Sequence, residues 1–308
     1  MDKKISLIVP IYNSASFMNN LLEAVDAERK NSNWHLELVL IDDGSRDKSY
    51  DKIVELSKTY PYIKGIKLSR NFGHQIAVKT GLTHCTGDYI AIIDDDLQDP
   101  PSLLPMFFKY LDDGYDVAYG VRKKRKESFI KKLSYNSFYR ILKKLSDTDI
   151  PLDSGDFCVM KRCVVDSMLL LQEKNPFLRG IRAWVGFKQV GVEYERHARI
   201  DGESGYTFKK LMKIALDGIF SFSSVPIRTI TMLGMVGFIF ATLYSGFVIY
   251  ESLVNKIDVK GFATLAIIIS FFGSLTLICL GIIGEYIVRI YDEVRNRPYT
   301  VIEKTINL

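Results

Sequence analysis

The chain has 308 residues, which is enough for one large domain or for a domain with an appendage. Its formal net charge of +5 is too weak and too dispersed to indicate nucleic-acid binding, and it suits a protein that rests on an anionic membrane surface. The four cysteines form no Cys-x-x-Cys pair and the four histidines are scattered, so neither a disulfide framework nor a zinc site is expected.

The first 225 residues alternate short apolar runs with stretches that suit helices. The predicted strands are 5–12, 36–43, 65–69, 89–95 and 116–122, and the predicted helices between them are 15–29, 46–58, 74–84 and 102–112. Continuous apolar strands separated by helices are typical of a parallel sheet covered on both faces. Such sheets bind ligands at the carboxyl ends of their strands. We therefore expect a site where Tyr12 and the acids at 42–43 and 94–96 lie.

An amphipathic segment, FKKLMKIALDGIF, occupies residues 208–220. Its apolar positions recur at helical spacing, and Lys209, Lys210 and Lys213 take the other face. Such a helix either packs on the preceding domain or lies in the membrane interface. We favour the interface, because a long apolar run follows shortly after it.

Two uncharged apolar runs follow, at 229–250 and 261–284. Each is long enough to cross a hydrocarbon core, which takes about 20 helical residues, and the short linker between them predicts a hairpin. Basic residues are concentrated outside the hairpin rather than in this linker, so both termini are expected in the cytoplasm. The predicted organisation is a catalytic domain at 1–206, an interfacial helix and linker at 207–228, a transmembrane hairpin at 229–288 and a cytoplasmic tail at 289–308.

The most acidic stretch is DDDLQDPP, residues 94–101, at the end of the fourth predicted strand. The oxygens of Asp94, Asp96 and Gln98 suit Mg²⁺ or Mn²⁺, and such a cation stabilises a diphosphate as a leaving group. Asp99, followed by two prolines, suits the start of a helix. The early acids are therefore predicted to bind a metal ion and the later one to cap the next helix.

The first two strands end in PIYN (10–13) and DDGS (42–45). An acid pair followed by Gly-Ser can cap a helix, or its carboxylates can accept hydrogen bonds from a nucleobase and a ribose. The acidic stretch at 94–101 favours the second interpretation.

These motifs, in this order, resemble those of family 2 glycosyltransferases of the GT-A fold. The chain is most similar to the polyprenyl-phosphate subgroup, the dolichol-phosphate mannose synthases and bactoprenol glucosyltransferases. Further matching segments are LSRNFGHQIAVKTGL (68–82), SGDFCVM (154–160), RGIRAWVGF (179–187) and RIDGESGYTFKKL (199–211). The resemblance implies an α/β, GT-A Rossmann-like catalytic domain with an interfacial helix and two C-terminal transmembrane helices.

The resemblance also implies a reaction, namely inverting, metal-dependent transfer of a single sugar from a nucleotide diphosphate sugar to polyprenyl phosphate. The expected place is the cytoplasmic face of the inner membrane, in contact with membrane lipids, and the expected cofactor is Mg²⁺ or Mn²⁺. UDP and glucose or another hexose are expected by analogy, although N-acetylglucosamine, mannose, galactose and aminoarabinose stay open. The product would modify a surface polysaccharide or a lipid-linked glycan. A flippase and a downstream polytopic transferase would be partners, and a homo-oligomer is left open.

By the same resemblance, each site residue has an expected role. The nucleotide sugar would be held by Pro10, Tyr12, Asp42, Asp43, Arg70, Asp94 and Asp95. The metal ion would be held by Asp94, Asp96 and Gln98, and the catalytic residues would be Asp96 and Asp156, the latter as a base or to orient the sugar. The lipid phosphate would be bound by Arg122 and Arg199, because a guanidinium binds phosphate bidentately. A structural role for Arg70 and surface salt bridges for the two arginines are the alternatives.

Two positions depart from the family pattern. Gly205 stands where many relatives carry Lys, so Lys209 or Lys210 would have to supply that cation, and Asp95 stands where alanine is frequent.

Two other functions are weighed against the main one. The first alternative is a processive synthase or a transferase to another lipid or glycan; processive relatives usually carry a Gln-x-x-Arg-Trp motif, and its absence counts against a processive synthase. A non-catalytic membrane accessory subunit is disfavoured because the acid pair at 94 and 96 is intact.

Overall fold

The computed structural model of the chain describes residues 3–122, 154–171, 173–174, 176–195, 225–254 and 261–308. These residues form two compact units. The first unit holds the described residues before position 196 together with Pro298–Leu308, and the second holds those from 225 to 297. The predicted interfacial helix at 208–220 lies outside the described residues.

Strands and helices alternate along the first unit. In chain order they are β1 Lys4–Ile11, α1 Met18–Asn31, β2 His35–Asp42, α2 Ser49–Thr59, β3 Ile63–Leu68, α3 His74–His84, β4 Tyr89–Ile92, a 3₁₀ turn at Pro101–Leu103, α4 Leu104–Asp112 and β5 Val117–Arg122. Then follow β6 Ser154–Lys161, α5 Arg162–Leu169, α6 Leu178–Trp184, β7 Gln189–Tyr194 and β8 Ile302–Ile306. Every strand and helix predicted up to residue 122 is present, with small displacements of its ends.

The described strands form one eight-stranded sheet, in the order β7-β5-β6-β4-β1-β2-β3-β8. The four central strands, β4, β1, β2 and β3, are parallel, as predicted. β6 is antiparallel to both β4 and β5, and β8 is antiparallel to β3. The five predicted strands therefore run in one direction, but the sheet as a whole is mixed, because β6 and β8, which come from later in the chain, enter it in the opposite direction.

Both faces of the central strands are covered, which explains their uninterrupted apolar sequences. The odd-numbered residues of β1, from Ile5 to Ile11, share a buried core with Phe107 and Phe108 of α4. On the other face α3 lies so close that a Cβ atom on Gly81 would be 2.5 Å from Cγ2 of Ile8. This tight contact fixes α3 on the sheet, with its first residue near the carboxyl ends of the strands.

The last residues of the chain form a strand, which the sequence did not predict. β8 lies in the segment assigned to a cytoplasmic tail, and it pairs along the outer edge of β3, from Gly65 opposite Ile306 to Leu68 opposite Ile302. Beyond the strand, the Ser69 N–H donates to the Val301 carbonyl at 3.0 Å. The C-terminus therefore completes the edge of the sheet.

The second unit contains two long helices, α7 Val225–Val254 and α8 Phe262–Val294. They cover the two apolar runs and contact each other, since a Cβ atom on Gly237 would lie 3.1 Å from Cε1 of Phe272. Within the described residues one segment, Phe271–Val294, is long and apolar enough to cross a membrane, and Met232–Phe247 is a shorter apolar stretch. The predicted span at 229–250 thus stays a prediction.

A buried carboxylate stabilises the sheet at the ends of the strands far from the predicted site. Glu37 of β2 is 3% exposed and lies 2.6 Å from Nζ of Lys64. It accepts hydrogen bonds from the Ser6 hydroxyl and from the backbone and hydroxyl of Thr86. Burial alone would raise the pKa of Glu37, but Lys64 and these donors lower it to about 2, from an ordinary 4.5. Glu37 therefore stabilises the fold in its ionised form.

We predict that Glu37→Gln destabilises the protein by about 3 kcal/mol near neutral pH, the equivalent of the pKa shift. Because the folded pKa is depressed, this stabilisation is complete above about pH 4.5 and is lost as the pH falls towards 2. The difference in unfolding midpoint between wild type and variant should therefore shrink across that window. Trp34, 6% exposed and packed edge-on against Phe108, provides the fluorescence signal.

Glu23→Gln is the matched control, since Glu23 is an exposed residue of α1. It should leave the midpoint nearly unchanged at every pH. A Glu37→Gln effect of the same size at pH 3 and pH 7 would contradict the assigned charge interaction.

Candidate active site

The sheet brings two distant acids to the same edge. β4 ends just before Asp94, and β6 runs antiparallel to it, with Ile92 opposite Cys158. Continuing that register places Asp156 opposite position 94. Between the two carboxylates lies His74, whose Nε2 is 3.3 Å from Oδ2 of Asp156 and 3.9 Å from Oδ1 of Asp94. Three segments far apart in sequence thus meet in one charged cluster.

Asp156 is held by several donors. Nε of Arg179 donates to Oδ1 at 2.8 Å, and the Gln75 amide donates to Oδ2 at 3.3 Å. Burial alone would raise the pKa of Asp156, but the charges of Arg179 and His74 hold it well below its usual range. A carboxylate with so low a pKa is a weak proton acceptor. The geometry favours a fixed anion that orients its neighbours over a general base.

Asp94 has the opposite electrostatic environment. Burial raises its pKa to about 6, and the negative charges of Asp156, Asp96 and Asp99 add to the rise, while His74 opposes it. Concentrated negative charge in a partly dehydrated position is unfavourable unless a cation compensates it. The predicted metal ligand therefore lies where a further positive charge would be stabilising.

His74 was not predicted as a site residue. Burial would lower its pKa, but the carboxylates of Asp156 and Asp94 raise it to about 9, so the imidazole is protonated at neutral pH. It is the first residue of α3, after Gly73, whose φ of 101° is a conformation that glycine adopts without strain. Its place in the family-matching segment 68–82, shortly after the third strand, was the available sequence signal. Gln75 and Arg179 were missed as well, because their contacts with Asp156 arise only in the fold, 81 and 23 residues away in sequence, and leave no local pattern.

Asp95, the extra acid of the DDD motif, has a structural partner. Its Oδ2 accepts a hydrogen bond from the Ser14 hydroxyl, which also donates to the Tyr12 carbonyl at 3.2 Å. The bond ties the acidic loop after β4 to the loop after β1. The structure thus gives this unexplained charge a role in joining two loops of the site.

The rest of the acidic stretch forms a tight turn. The Gln98 N–H donates to Oδ1 of Asp96 at 3.1 Å, and Leu97 between them has a positive φ of 54°. Asp99 does not occupy the cap position, which belongs to Pro100. Instead Asp99 is buried and accepts a hydrogen bond from the Tyr194 hydroxyl. The prediction that Asp99 caps the next helix is therefore wrong, because β7 supplies a stronger partner.

The acid pair after β2 is buried. Asp43 accepts backbone N–H groups from Phe72 at 2.7 Å and Gly73 at 2.9 Å, one on each oxygen. Asp42 is 0% exposed; its Oδ1 accepts the Ser45 N–H at 3.1 Å, whereas its Oδ2 has no hydrogen-bond partner among the residues that the structure describes. Burial raises the pKa of both acids. Asp43 thus organises the neighbouring loop, and Asp42 keeps one unused acceptor.

The PIYN and DDGS segments interlock. The Asn13 N–H donates to the Ser45 hydroxyl at 3.0 Å, and the Asn13 side chain accepts the Arg46 N–H at 2.8 Å. Pro10 is buried within β1 opposite Ile41. Tyr12, just past the strand, is 45% exposed. The two motifs therefore form a single rim, of which Tyr12 is the accessible aromatic residue.

Arg70 lies on the next loop. Its guanidinium is exposed, stacks 4.1 Å from the ring centre of Phe72 and donates to the Asn71 carbonyl at 3.3 Å. Gly44 is necessary here, because a Cβ atom on it would lie 2.3 Å from the Arg70 carbonyl carbon. Its φ of 66° also favours glycine. Close backbone contact thus brings Arg70 beside the DDGS turn.

The predicted acceptor residues are only partly described. Arg122 is the last residue of β5, which runs in the same direction as β4, so its backbone lies at the same edge as Asp94. Arg199 lies outside the described residues.

Among the residues that the structure describes, no three His, Cys, Asp or Glu side chains form a group able to hold a metal ion.

Comparison with known proteins gives the family. Residues 6–169 match the family described as Glycosyl transferase family 2. The chain is 41% identical over 304 residues to an uncharacterized glycosyltransferase, YkcC, of Bacillus subtilis, covering 98% of this chain and 94% of the relative. It is 37% identical over 303 residues to the SfII prophage-derived bactoprenol glucosyl transferase of Shigella flexneri, covering 98% of both chains.

Among solved structures, the chain resembles the mannosyltransferase PcManGT of Pyrobaculum calidifontis, solved with GDP-Man and Mn²⁺. The TM-score is 0.49 at 17% identity, covering 91% of this chain and 88% of the other. A similarity this low says nothing about which sugar donor or metal ion this chain uses. The family match, together with relatives of similar length, carries the assignment. The chain, with its GT-A-like mixed α/β sheet, belongs to glycosyl transferase family 2, and its relatives include bactoprenol glucosyl transferases.

Proposed function

We propose that the chain transfers a single hexose from a nucleotide diphosphate sugar to polyprenyl phosphate, with inversion and with a divalent cation. The observation that carries the proposal is the charged cluster of Asp94, His74 and Asp156 at the carboxyl edge of the sheet. The near full-length similarity to a bactoprenol glucosyl transferase supports a lipid carrier as acceptor. UDP and glucose are the proposed donor components by the same similarity.

The rim of PIYN and DDGS is the proposed nucleoside site. Oδ2 of Asp42 has no hydrogen-bond partner in the described part of the chain, and an N–H or O–H of a nucleoside could satisfy it. The exposed ring of Tyr12 can stack on a base. Asp43 supports the site indirectly, by holding the loop that contains Arg70.

Asp94, Asp96 and Gln98 are the proposed ligands of Mg²⁺ or Mn²⁺. Their hard oxygen donors fit either ion, and a bound cation would offset the burial and the neighbouring negative charges that raise the pKa of Asp94. Mg²⁺ is commonly held by one or two carboxylates together with substrate phosphates, so a complete protein cage is unnecessary. When bound, the cation would neutralise the diphosphate leaving group.

Asp156 is proposed to orient the sugar rather than to remove a proton. Arg179, Gln75 and His74 fix its carboxylate, and its low pKa makes it a poor base. The acceptor needs little help from a base, because the second pKa of a phosphate monoester is about 6. Attack by an already ionised phosphate oxygen on the anomeric carbon would release the nucleoside diphosphate.

The acceptor explains the apolar part of the chain. Withdrawing a polyprenyl tail from the bilayer costs about 0.8 kcal/mol for each methylene exposed, so catalysis has to occur at the membrane surface. We propose that α7 and α8 are the two spans, that 207–228 is interfacial, and that residues 1–206 face the cytoplasm. Arg122 and Arg199 are the proposed ligands of the lipid phosphate.

We predict that Asp96→Asn lowers glycolipid formation by about a hundredfold or more. A bound cation stabilises the charge of the transition state by several kcal/mol. A loss of about 1.4 kcal/mol slows the reaction tenfold. Transfer of labelled sugar to polyprenyl phosphate and Mn²⁺ binding by electron paramagnetic resonance are the two measurements. Both should fall together.

Asp113→Asn is the control for this variant, since Asp113 is an exposed acid after α4. It should bind Mn²⁺ and turn over as wild type does. Wild-type turnover by a folded Asp96→Asn protein would remove Asp96 from the metal site.

We predict that Arg122→Ala and Arg199→Ala each raise the KM for polyprenyl phosphate by about tenfold, because a charged hydrogen bond contributes about 1.5–3 kcal/mol. The KM for the nucleotide sugar should change much less. Initial rates over a matrix of donor and acceptor concentrations separate the two constants. Lys58→Ala, which removes a cation from α2, should change neither. If only the KM for the nucleotide sugar rises, these arginines bind the donor and not the lipid phosphate.

A further inference from the structure

The C-terminal strand contacts β3 through more than backbone pairing. Nζ of Lys67 lies 3.0 Å from a carboxylate oxygen of Glu303, and the Asn307 amide donates to the Ile63 carbonyl at 3.0 Å. The Ile306 side chain fills the space above Gly65 and packs against the main core. β8 is thus fastened to β3 along its whole length, and the bond from Ser69 to Val301 extends the contact past the end of β3.

A second contact reaches α3. The Tyr299 hydroxyl lies 3.1 Å from the hydroxyl of Thr83, and Nζ of Lys79 lies 4.8 Å from the centre of the Tyr299 ring. Lys79 is itself buried and donates to the carbonyls of Leu171 and Glu173. Tyr299 therefore holds the C-terminal half of the helix whose first residue is His74.

The connection between these two anchored elements is part of the site. Residues 69–73, here termed the donor loop, join β3 to α3. The loop contains Arg70, lies against Gly44, and supplies both N–H groups that Asp43 accepts. The C-terminal segment holds the strand before this loop and the helix after it.

We propose that residues 299–306 are a positioning segment for the donor loop, required for tight binding of the nucleotide. Without β8, β3 would become the edge strand, and the Ser69 N–H would lose its acceptor. Edge positions with few buried contacts open locally at low free-energy cost. Opening there would release the two donors from Asp43 and move Arg70 away from the DDGS turn. The importance for catalysis rests on the proposed function, whereas the effect on loop order does not.

The test uses the full-length protein and two variants. Ile306→Ala removes the side chain above Gly65, and Tyr299→Phe removes only the hydroxyl contact with Thr83. Val301→Ala is the matched control, because that side chain is 52% exposed and Val301 contacts Ser69 through its backbone carbonyl. Hydrogen exchange followed by mass spectrometry reports on the donor loop, and titration with UDP and with GDP reports on nucleotide binding.

We expect exchange in residues 69–73 to accelerate about tenfold in Ile306→Ala, equivalent to about 1.4 kcal/mol of lost local stability. Tyr299→Phe should give a smaller effect of the same kind, and exchange in β1 and β2 should stay at the wild-type level. The Kd for the nucleotide and the KM for the donor should rise in parallel, with the KM for polyprenyl phosphate unchanged. Val301→Ala should match wild type throughout.

Other results would overturn the proposal. Unchanged exchange in the donor loop of Ile306→Ala would show that β8 does not order it, and a uniform rise over the whole sheet would show a merely structural strand. If Ile306→Ala does not fold, Tyr299→Phe decides by the same criteria. If wild type binds neither UDP nor GDP, the proposed function fails, but the exchange comparison still tests the ordering of the loop.

Discussion

Two partly buried carboxylates facing one protonated imidazole are the constraint on which the site depends. Asp94 and Asp156 approach the same nitrogen of His74, and their pKa values are displaced in opposite directions. Arg179 donates to Asp156 and helps to lower its pKa, whereas burial and the neighbouring acids raise the pKa of Asp94. In the proposed function, this difference separates a fixed anion from a carboxylate that a bound cation would stabilise.

The loops around this cluster are connected to one another rather than independent. Ser14 joins the β1 loop to Asp95, Asn13 joins it to the DDGS turn, and Asp43 joins that turn to the donor loop. Displacement of one loop would therefore disturb the next. The C-terminal strand extends this chain of contacts to the end of the sequence, so a segment far from the chemistry bears on the position of Arg70.

The sequence predicted the elements up to residue 122 because their apolar runs are long and regular, and it predicted the acids at the strand ends because parallel strands share an edge. It could not predict the mixed sheet, since the neighbours of β6 and β8 are determined by pairing between distant segments. His74 and Arg179 could not be assigned to the site from sequence, because both contact Asp156 only in the folded chain. β8 is five residues long and has three consecutive polar residues between two isoleucines, which is a weak local signal for a strand. Asp99 was misassigned because its partner, Tyr194, lies in a late strand.

The most direct test of the account is a search for the product. Purified protein in detergent would be incubated with undecaprenyl phosphate, Mg²⁺ or Mn²⁺ and a panel of UDP- and GDP-sugars, and the lipids would be examined by mass spectrometry. The account predicts one new glycolipid, carrying a single hexose, from one donor of the panel. Release of nucleotide without any glycolipid would contradict polyprenyl phosphate as the acceptor, and absence of turnover with every donor would contradict the proposed enzyme.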